Sequence, residues 1–219
     1  MKKLIVFDMD GLLIDTETIY DIAWLETFHH FNIENGPEVI PQMTGMSDAT
    51  SRAFLNQTYR DDTLYDKLLP HCNDLFWELI ESRGIDLKEG AQDLLDELSK
   101  NGVKTVLATS TSKMRALRLL EISGLRYDFE FMCYGNMVTH SKPHPEMYEL
   151  VVTLSNLPKE EIVVLEDSIN GVLSCNAAQL DVIWIPEKEY PVVPEGFHYY
   201  KKFDSLVEAK NTILAIIPE

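Results

Sequence analysis

The run Ile162-Val163-Val164-Leu165 is apolar at every position and rich in β-branched side chains. A strand with one wet face alternates apolar and polar residues; one that does not must be covered on both faces, which is the habit of parallel sheets flanked by helices. Further largely apolar runs stand at Leu4–Phe7, Val103–Ala108, Phe131–Tyr134 and Val182–Ile185. From Val103 onward each run is followed by a helical pattern, starting near Ser112, after Pro145, after Ser168 and after Asp204. Strand and helix in alternation imply a parallel sheet, so the spacing predicts a doubly wound α/β core. Ligands of such sheets bind beyond the carboxyl ends of the strands, so residues that immediately follow an apolar run are the first functional candidates.

One segment breaks the alternation. From about Asp15 to Ser82 the pattern is helical, with Tyr20, Trp24, Phe28 and Phe31 at helical spacing, Ser47 or Asp48 able to cap a helix carrying Phe54 and Leu55, and a stripe of Leu64, Leu68, Cys72, Leu75 and Leu79. The aromatic stripe could line a pocket, but core packing is the commoner use. Pro70 predicts a kink or a break near Leu69. The expected organisation is therefore a core of residues 1–14 and 85–219 with a helical cap, 15–84, inserted after the first strand. Crossings near Ile14–Thr16 and Arg83–Gly90 would let such a cap open and close.

The charge is as informative as the pattern. With 219 residues and 45% hydrophobic content the chain can build a sizeable core, and its formal charge of −17 argues against nucleic acid or an anionic membrane as partner. No apolar stretch reaches the roughly 18 residues of a membrane span, and Met1-Lys2-Lys3 leads into a run too short for a signal sequence, so a cytoplasmic protein is expected. Cys72, Cys133 and Cys175 lack metal-like spacing and read as buried free thiols. Oligomeric state leaves no mark in the sequence.

Four short stretches gather chemistry at strand ends: Asp8-Met9-Asp10-Gly11, Thr109-Ser110, Lys142-Pro143 and Glu166-Asp167. Asp8 and Asp10, two residues apart at a turn, can face the same side, and two such carboxylates call for a cation between them or a shared proton. Each stretch alone has a plainer reading. Asp167 or Ser168 could cap the next helix, Thr109 could be a turn residue, and Lys142, held extended by Pro143, could be a solvated loop lysine. His140 and His144 read as loop polar groups, with contact to a substrate the lesser alternative.

Taken together and in this order, the four stretches resemble the haloacid dehalogenase superfamily, in the branch that resembles β-phosphoglucomutase and its sugar-phosphate phosphatase relatives, and the match runs along essentially the whole chain. Asp8 to Glu17 matches the first motif, Thr109 the second, Lys142-Pro143 the third, and Glu166-Asp167-Ser168 with Gly171 the fourth. The resemblance implies a Rossmann-like core, an α-helical cap and a small phosphorylated substrate. It also implies roles: Asp8 as nucleophile, Asp10 as general acid and base, Thr109 and the Ser110 N–H as phosphate ligands, and Lys142 as balancing charge. Mg²⁺ would be held by Asp8, the Asp10 carbonyl and Asp167, with Glu166 bound directly or through water.

Departures from the branch narrow the activity. Tyr20 and Asp48 stand where the mutase places a His and a phosphate-holding Arg, and an Asp there would repel a distal phosphate. Between Asp15 and Ser82, thirteen acidic residues face only Arg52, Arg60 and Lys67, which favours a neutral or cationic leaving group. The expectation is a Mg²⁺-dependent phosphatase, with a β-phosphoglucomutase-type mutase as the alternative. A dehalogenase would not need Asp10 or Glu166-Asp167, a phosphonate-cleaving relative would need a cap lysine that the Gly45–Asp48 loop lacks, and a response-regulator receiver would present its acidic pair in the opposite order.

Overall fold

The computed structural model describes residues 1–43, 46, 48–187, 189–190 and 192–217. Thr44, Gly45 and Ser47, to which the cap's specificity loop and one expected helix cap were assigned, lie outside the described residues. The chain divides into two compact units, Met1–Ile14 with Asp86–Glu219, and Asp15–Ile85.

Among its described residues the larger unit is built on six strands: β1 (Leu4–Phe7), β2 (Lys104–Ala108), β3 (Phe129–Cys133), β4 (Ile162–Glu166), β5 (Asp181–Trp184) and β6 (Lys201–Lys202). Their order is β3-β2-β1-β4-β5-β6 and each neighbouring pair is parallel, so every strand ends at the same rim. Ile162, Val163, Val164 and Leu165 are each 0% exposed, as their texture requires. Each such side chain contributes about 1.5–3 kcal/mol on burial. Strand order reverses at β1, which pairs with β2 on one side (Leu4 opposite Lys104) and β4 on the other (Leu4 opposite Ile162). The topological switch point therefore lies at the end of β1. β6 escapes a reading by hydrophobicity because it is two lysines at a sheet edge, the residue type that discourages edge pairing.

Among its described residues the smaller unit contains four helices, α1 (Thr16–His30), α2 (Gly36–Met43), α3 (Asp48–Tyr59) and α4 (Leu64–Arg83). Asp15 caps α1, its carboxylate accepting from the Thr18 N–H and hydroxyl. The aromatic stripe is packing material: Trp24 and Phe28 are buried, Tyr20 stacks on Phe76 at 4.2 Å, and Trp24 meets Tyr65 at 5.7 Å. Helix α4 does not break at Pro70 but runs through it for 20 residues. Proline removes one donor, and the buried row Leu64, Leu68, Cys72, Phe76 and Ile80, set at strict i+4 spacing, outweighs that loss. The stripe thus uses Phe76 and Ile80 where Leu75 and Leu79 were expected; those two are half-buried.

The remaining helices, α5 (Ala91–Lys100), α6 (Lys113–Ser123), α7 (Glu146–Ser155), α8 (Ile169–Ala177) and α9 (Leu206–Ile216), belong to the larger unit. Main-chain contacts also stitch its two pieces together, since Ile14 bridges to Leu87 and the Lys88 N–H donates to the Leu13 carbonyl at 3.0 Å. All three cysteines are free and buried. Among the described residues no helix is long and apolar enough to cross a membrane. Phe76→Ala, which empties the centre of the α4 row, is expected to cost about 3–5 kcal/mol in urea denaturation.

Candidate active site

The parallel strands deliver the candidate residues to one rim. Asp8 follows β1, Thr109 follows β2, Glu166 is the last residue of β4 and Asp167 comes next, while Lys142 arrives on the loop between β3 and α7. Asp8, Thr109, Lys142, Glu166 and Asp167 are all buried, Asp10 is half-buried and Ser110 is exposed. The solvated-loop reading of Lys142 is therefore wrong. Its ammonium donates to the Asp8 carboxylate at 2.5 Å, to Glu166 Oε1 at 2.6 Å and to the Ala108 carbonyl at 3.0 Å, and it lies 4.9 Å from the centre of the Tyr148 ring. Three donors meet three acceptors, which uses the full capacity of an ammonium group.

Glu166 is equally committed. Its Oε1 accepts from Lys142 and from the Tyr148 hydroxyl at 2.6 Å, and its Oε2 accepts from the Ser168 N–H at 3.3 Å and hydroxyl at 3.1 Å. Ser168 also caps α8, accepting from the Gly171 N–H at 3.0 Å. Gly171 admits no side chain, because a Cβ there would lie 1.9 Å from the Glu166 carboxyl carbon. Gly11 meets a double demand: its φ is +79°, and a Cβ would lie 2.4 Å from Asp167 Oδ2. The Asp167 carbonyl in turn accepts from the Trp184 indole at 2.9 Å.

Asp10 faces a different set of partners. Its Oδ2 accepts from the Thr109 hydroxyl at 3.1 Å and from the Thr111 hydroxyl at 2.9 Å, while Thr109 Oγ1 accepts from the Thr111 N–H at 2.9 Å. The two threonines fix the direction of that carboxylate. Ser110 sits beside them at the mouth of the turn, ahead of α6.

Carboxylate oxygens of Asp8, Glu166 and Asp167 lie within 4.8 Å of one another. The Asp10 carboxylate is outside this cluster, so its expected metal contact would fall to its backbone carbonyl. Three carboxylates against the single Lys142 ammonium leave a formal surplus of two negative charges. Burial raises Asp8 above the usual carboxylate range; Lys142 opposes the rise, and Glu166 and Asp10 add to it. Burial alone would lower Lys142, but Asp8 and Glu166 outweigh it and hold the amine well above its ordinary value. The amine thus keeps its proton, and the surplus favours either an extra proton on Asp8 or a cation beside it. Buried, all-oxygen and doubly negative in sum, the cluster fits a hard divalent ion.

The loop that presents Lys142 is itself pinned. Glu146, first residue of α7, accepts from the N–H groups of Thr139 at 2.7 Å and His140 at 2.9 Å, which hold its carboxyl down at about 2. The Ser174 hydroxyl donates to the His144 carbonyl at 2.7 Å.

The sequence profile described as haloacid dehalogenase-like hydrolase matches residues 5–185, which span β1 to β5 and every residue of this rim. The chain belongs to that family. A phosphorylated carbohydrates phosphatase of Thermotoga maritima is 27% identical over 186 residues, 83% of this chain and 84% of that protein. Protein CbbY of Cereibacter sphaeroides is 30% identical over 197 residues, 85% of each chain. A β-phosphoglucomutase structure from Clostridium difficile shares the fold, with a TM-score of 0.76 at 20% identity over 98% of this chain and 96% of that one.

For this haloacid dehalogenase-like hydrolase, motif reading missed Tyr148, Thr111 and Trp184, which steer the charged groups without carrying charge. Tyr148 sits in an amphipathic helix where an aromatic residue reads as core, and Thr111 is one hydroxyl in a run of four. Tyr148→Phe removes a donor from a buried carboxylate and is expected to cost about 1.5–3 kcal/mol by chemical denaturation.

Proposed function

We propose that this haloacid dehalogenase-like hydrolase is a Mg²⁺-dependent phosphatase of a small phosphorylated metabolite, acting through an aspartyl phosphate on Asp8. The observation that carries the reading is the meeting of Asp8, Lys142 and the Glu166-Asp167 pair at the switch point of the sheet. A phosphate monoester resists attack because its oxygens are anionic, so a site must neutralise them while aligning nucleophile and leaving group.

Asp8 attacks phosphorus and the bond to the leaving oxygen breaks, while Asp10 gives that oxygen a proton. Water then attacks the acyl phosphate, Asp10 takes the water's proton, and phosphate leaves Asp8 free. Thr109 and Thr111 hold Asp10 in direction for both transfers. Lys142 has no spare N–H, so it serves phosphoryl oxygens by exchanging one of its present partners for them. A Mg²⁺ ion would be held by Asp8, Asp167 and the Asp10 carbonyl, and would supply neutralisation of the phosphoryl oxygens. Glu166, with four hydrogen bonds already accepted, suits a water-mediated contact and the anchoring of Lys142.

Two observations in the helical unit favour hydrolysis over mutase chemistry. Asp48 opens α3 and accepts from the Tyr65 hydroxyl at 3.3 Å, so an acidic side chain holds this position where an arginine would be needed. Arg52, one turn on, is paired with Asp66 at 2.5 Å. Neither invites the second phosphate of a bisphosphate intermediate. The phosphatase relative that acts on phosphorylated carbohydrates supports a sugar phosphate as substrate.

Purified protein is expected to release phosphate from a generic aryl phosphate only with Mg²⁺ present, and chelation should abolish the release. Asp8→Asn is expected to lose turnover, whereas Asp10→Asn should form a covalent intermediate slowly, seen in the intact mass as one added phosphoryl group. Undiminished turnover in either variant removes its assigned role. Net conversion of glucose 1-phosphate to its 6-isomer without phosphate release would make the mutase the better reading.

A further inference from the structure

The loop around Lys142 gathers a second group of side chains that the phosphoryl chemistry leaves unused. Donor atoms of His140, His144 and Glu146 all lie within 4.8 Å of one another. The two imidazoles face each other at 4.6 Å between ring centres, with an interplanar angle of 33°. His140 Nδ1 lies 2.9 Å from Glu146 Oε2, and His144 Nδ1 lies 3.9 Å from that same oxygen.

The Glu146 carboxylate contacts His140, while His144 Nδ1 accepts from the Glu146 N–H at 3.3 Å and lies beside the same carboxylate. Two imidazole nitrogens beside a carboxylate make the donor set of a borderline transition ion. The set is also held in place: Glu146 by the N–H groups of Thr139 and His140, and the His144 main chain by the Ser174 hydroxyl. Side-chain exposures of 63% for His140, 49% for His144 and 31% for Glu146 leave the group open to an ion from solution.

We infer that His140, His144 and Glu146 form a second divalent-cation site, selective for ions such as Zn²⁺ or Co²⁺ over Mg²⁺, on the loop that presents Lys142. On binding, metal–nitrogen and metal–oxygen bonds replace the contact between His140 Nδ1 and Glu146 and the one from the Glu146 N–H to His144 Nδ1, and any proton on a coordinating nitrogen passes to solvent. Nothing is oxidised or reduced. Mg²⁺, which keeps oxygen ligands, stays with the buried acidic cluster. Lys142 lies between the two histidines in the chain, so the ion would clasp the loop on both sides of the lysine. The site stands whether or not the proposed hydrolysis is correct, because its readout is binding and not turnover.

The test is calorimetric titration of tag-free, full-length protein with Zn²⁺ while Mg²⁺ is in excess, repeated with Co²⁺ and followed by its visible absorption. Wild type is expected to bind one Zn²⁺ per chain, and His140→Ala and His144→Ala should each weaken that binding by about tenfold or more. His198→Ala, away from the loop, and Asp167→Asn, which thins the acidic cluster, should leave it in place. Circular dichroism establishes that each variant is folded. Failure of wild type to bind Zn²⁺ under these conditions, or binding by both loop-histidine variants as tight as wild type, overturns the site.

Discussion

An ammonium group buried among carboxylates is costly to assemble, and the core of this protein is arranged to make it tolerable. Taking a charge out of water costs several kcal/mol even after relaxation, and the cost is recovered only with close partners and full hydrogen bonding. Lys142 has both, in Asp8, Glu166 and the Ala108 carbonyl. The acceptors stand just after β1 and at the ends of β2 and β4, so the lysine reports the register of three adjacent strands. A slip of one residue in any of them would turn an acceptor to the opposite face and leave a charge stranded.

That arrangement is balanced against the wrong total. With Asp8, Glu166 and Asp167 together, the pocket holds more negative charge than one amine can neutralise. Such a surplus is costly in a low-dielectric space, and a divalent cation beside the carboxylates would offset it.

Much of this was legible in the sequence, and the reasons differ from element to element. Leu4–Phe7 and Ile162–Leu165 announce covered strands by texture alone, and Asp8, Thr109 and Glu166 fall where those strands and β2 stop. Motif order then made the family recognisable. What stayed hidden depends on direction and depth. No pattern shows that Thr109 spends its hydroxyl on Asp10, or that Tyr148 turns its own to Glu166. Of the kink or break expected at Pro70, the break does not occur, because a row of buried side chains is worth more than one hydrogen bond. The α4 stripe was misplaced by one position because Leu75 and Phe76 are both apolar, and only packing chooses between them.

The stitching of Leu13 and Ile14 to Leu87 and Lys88 has a topological consequence. The chain leaves the sheet unit and re-enters it at practically the same spot, so the 71 residues from Asp15 to Ile85 form an excursion whose ends already touch. Loop-closure entropy grows only slowly with length, and here the closure is secured by main-chain bonds of the unit that remains. The sheet is thus indifferent to what the excursion contains. One helical bundle could be traded for another, or for a short turn, without moving any strand that carries the charged rim.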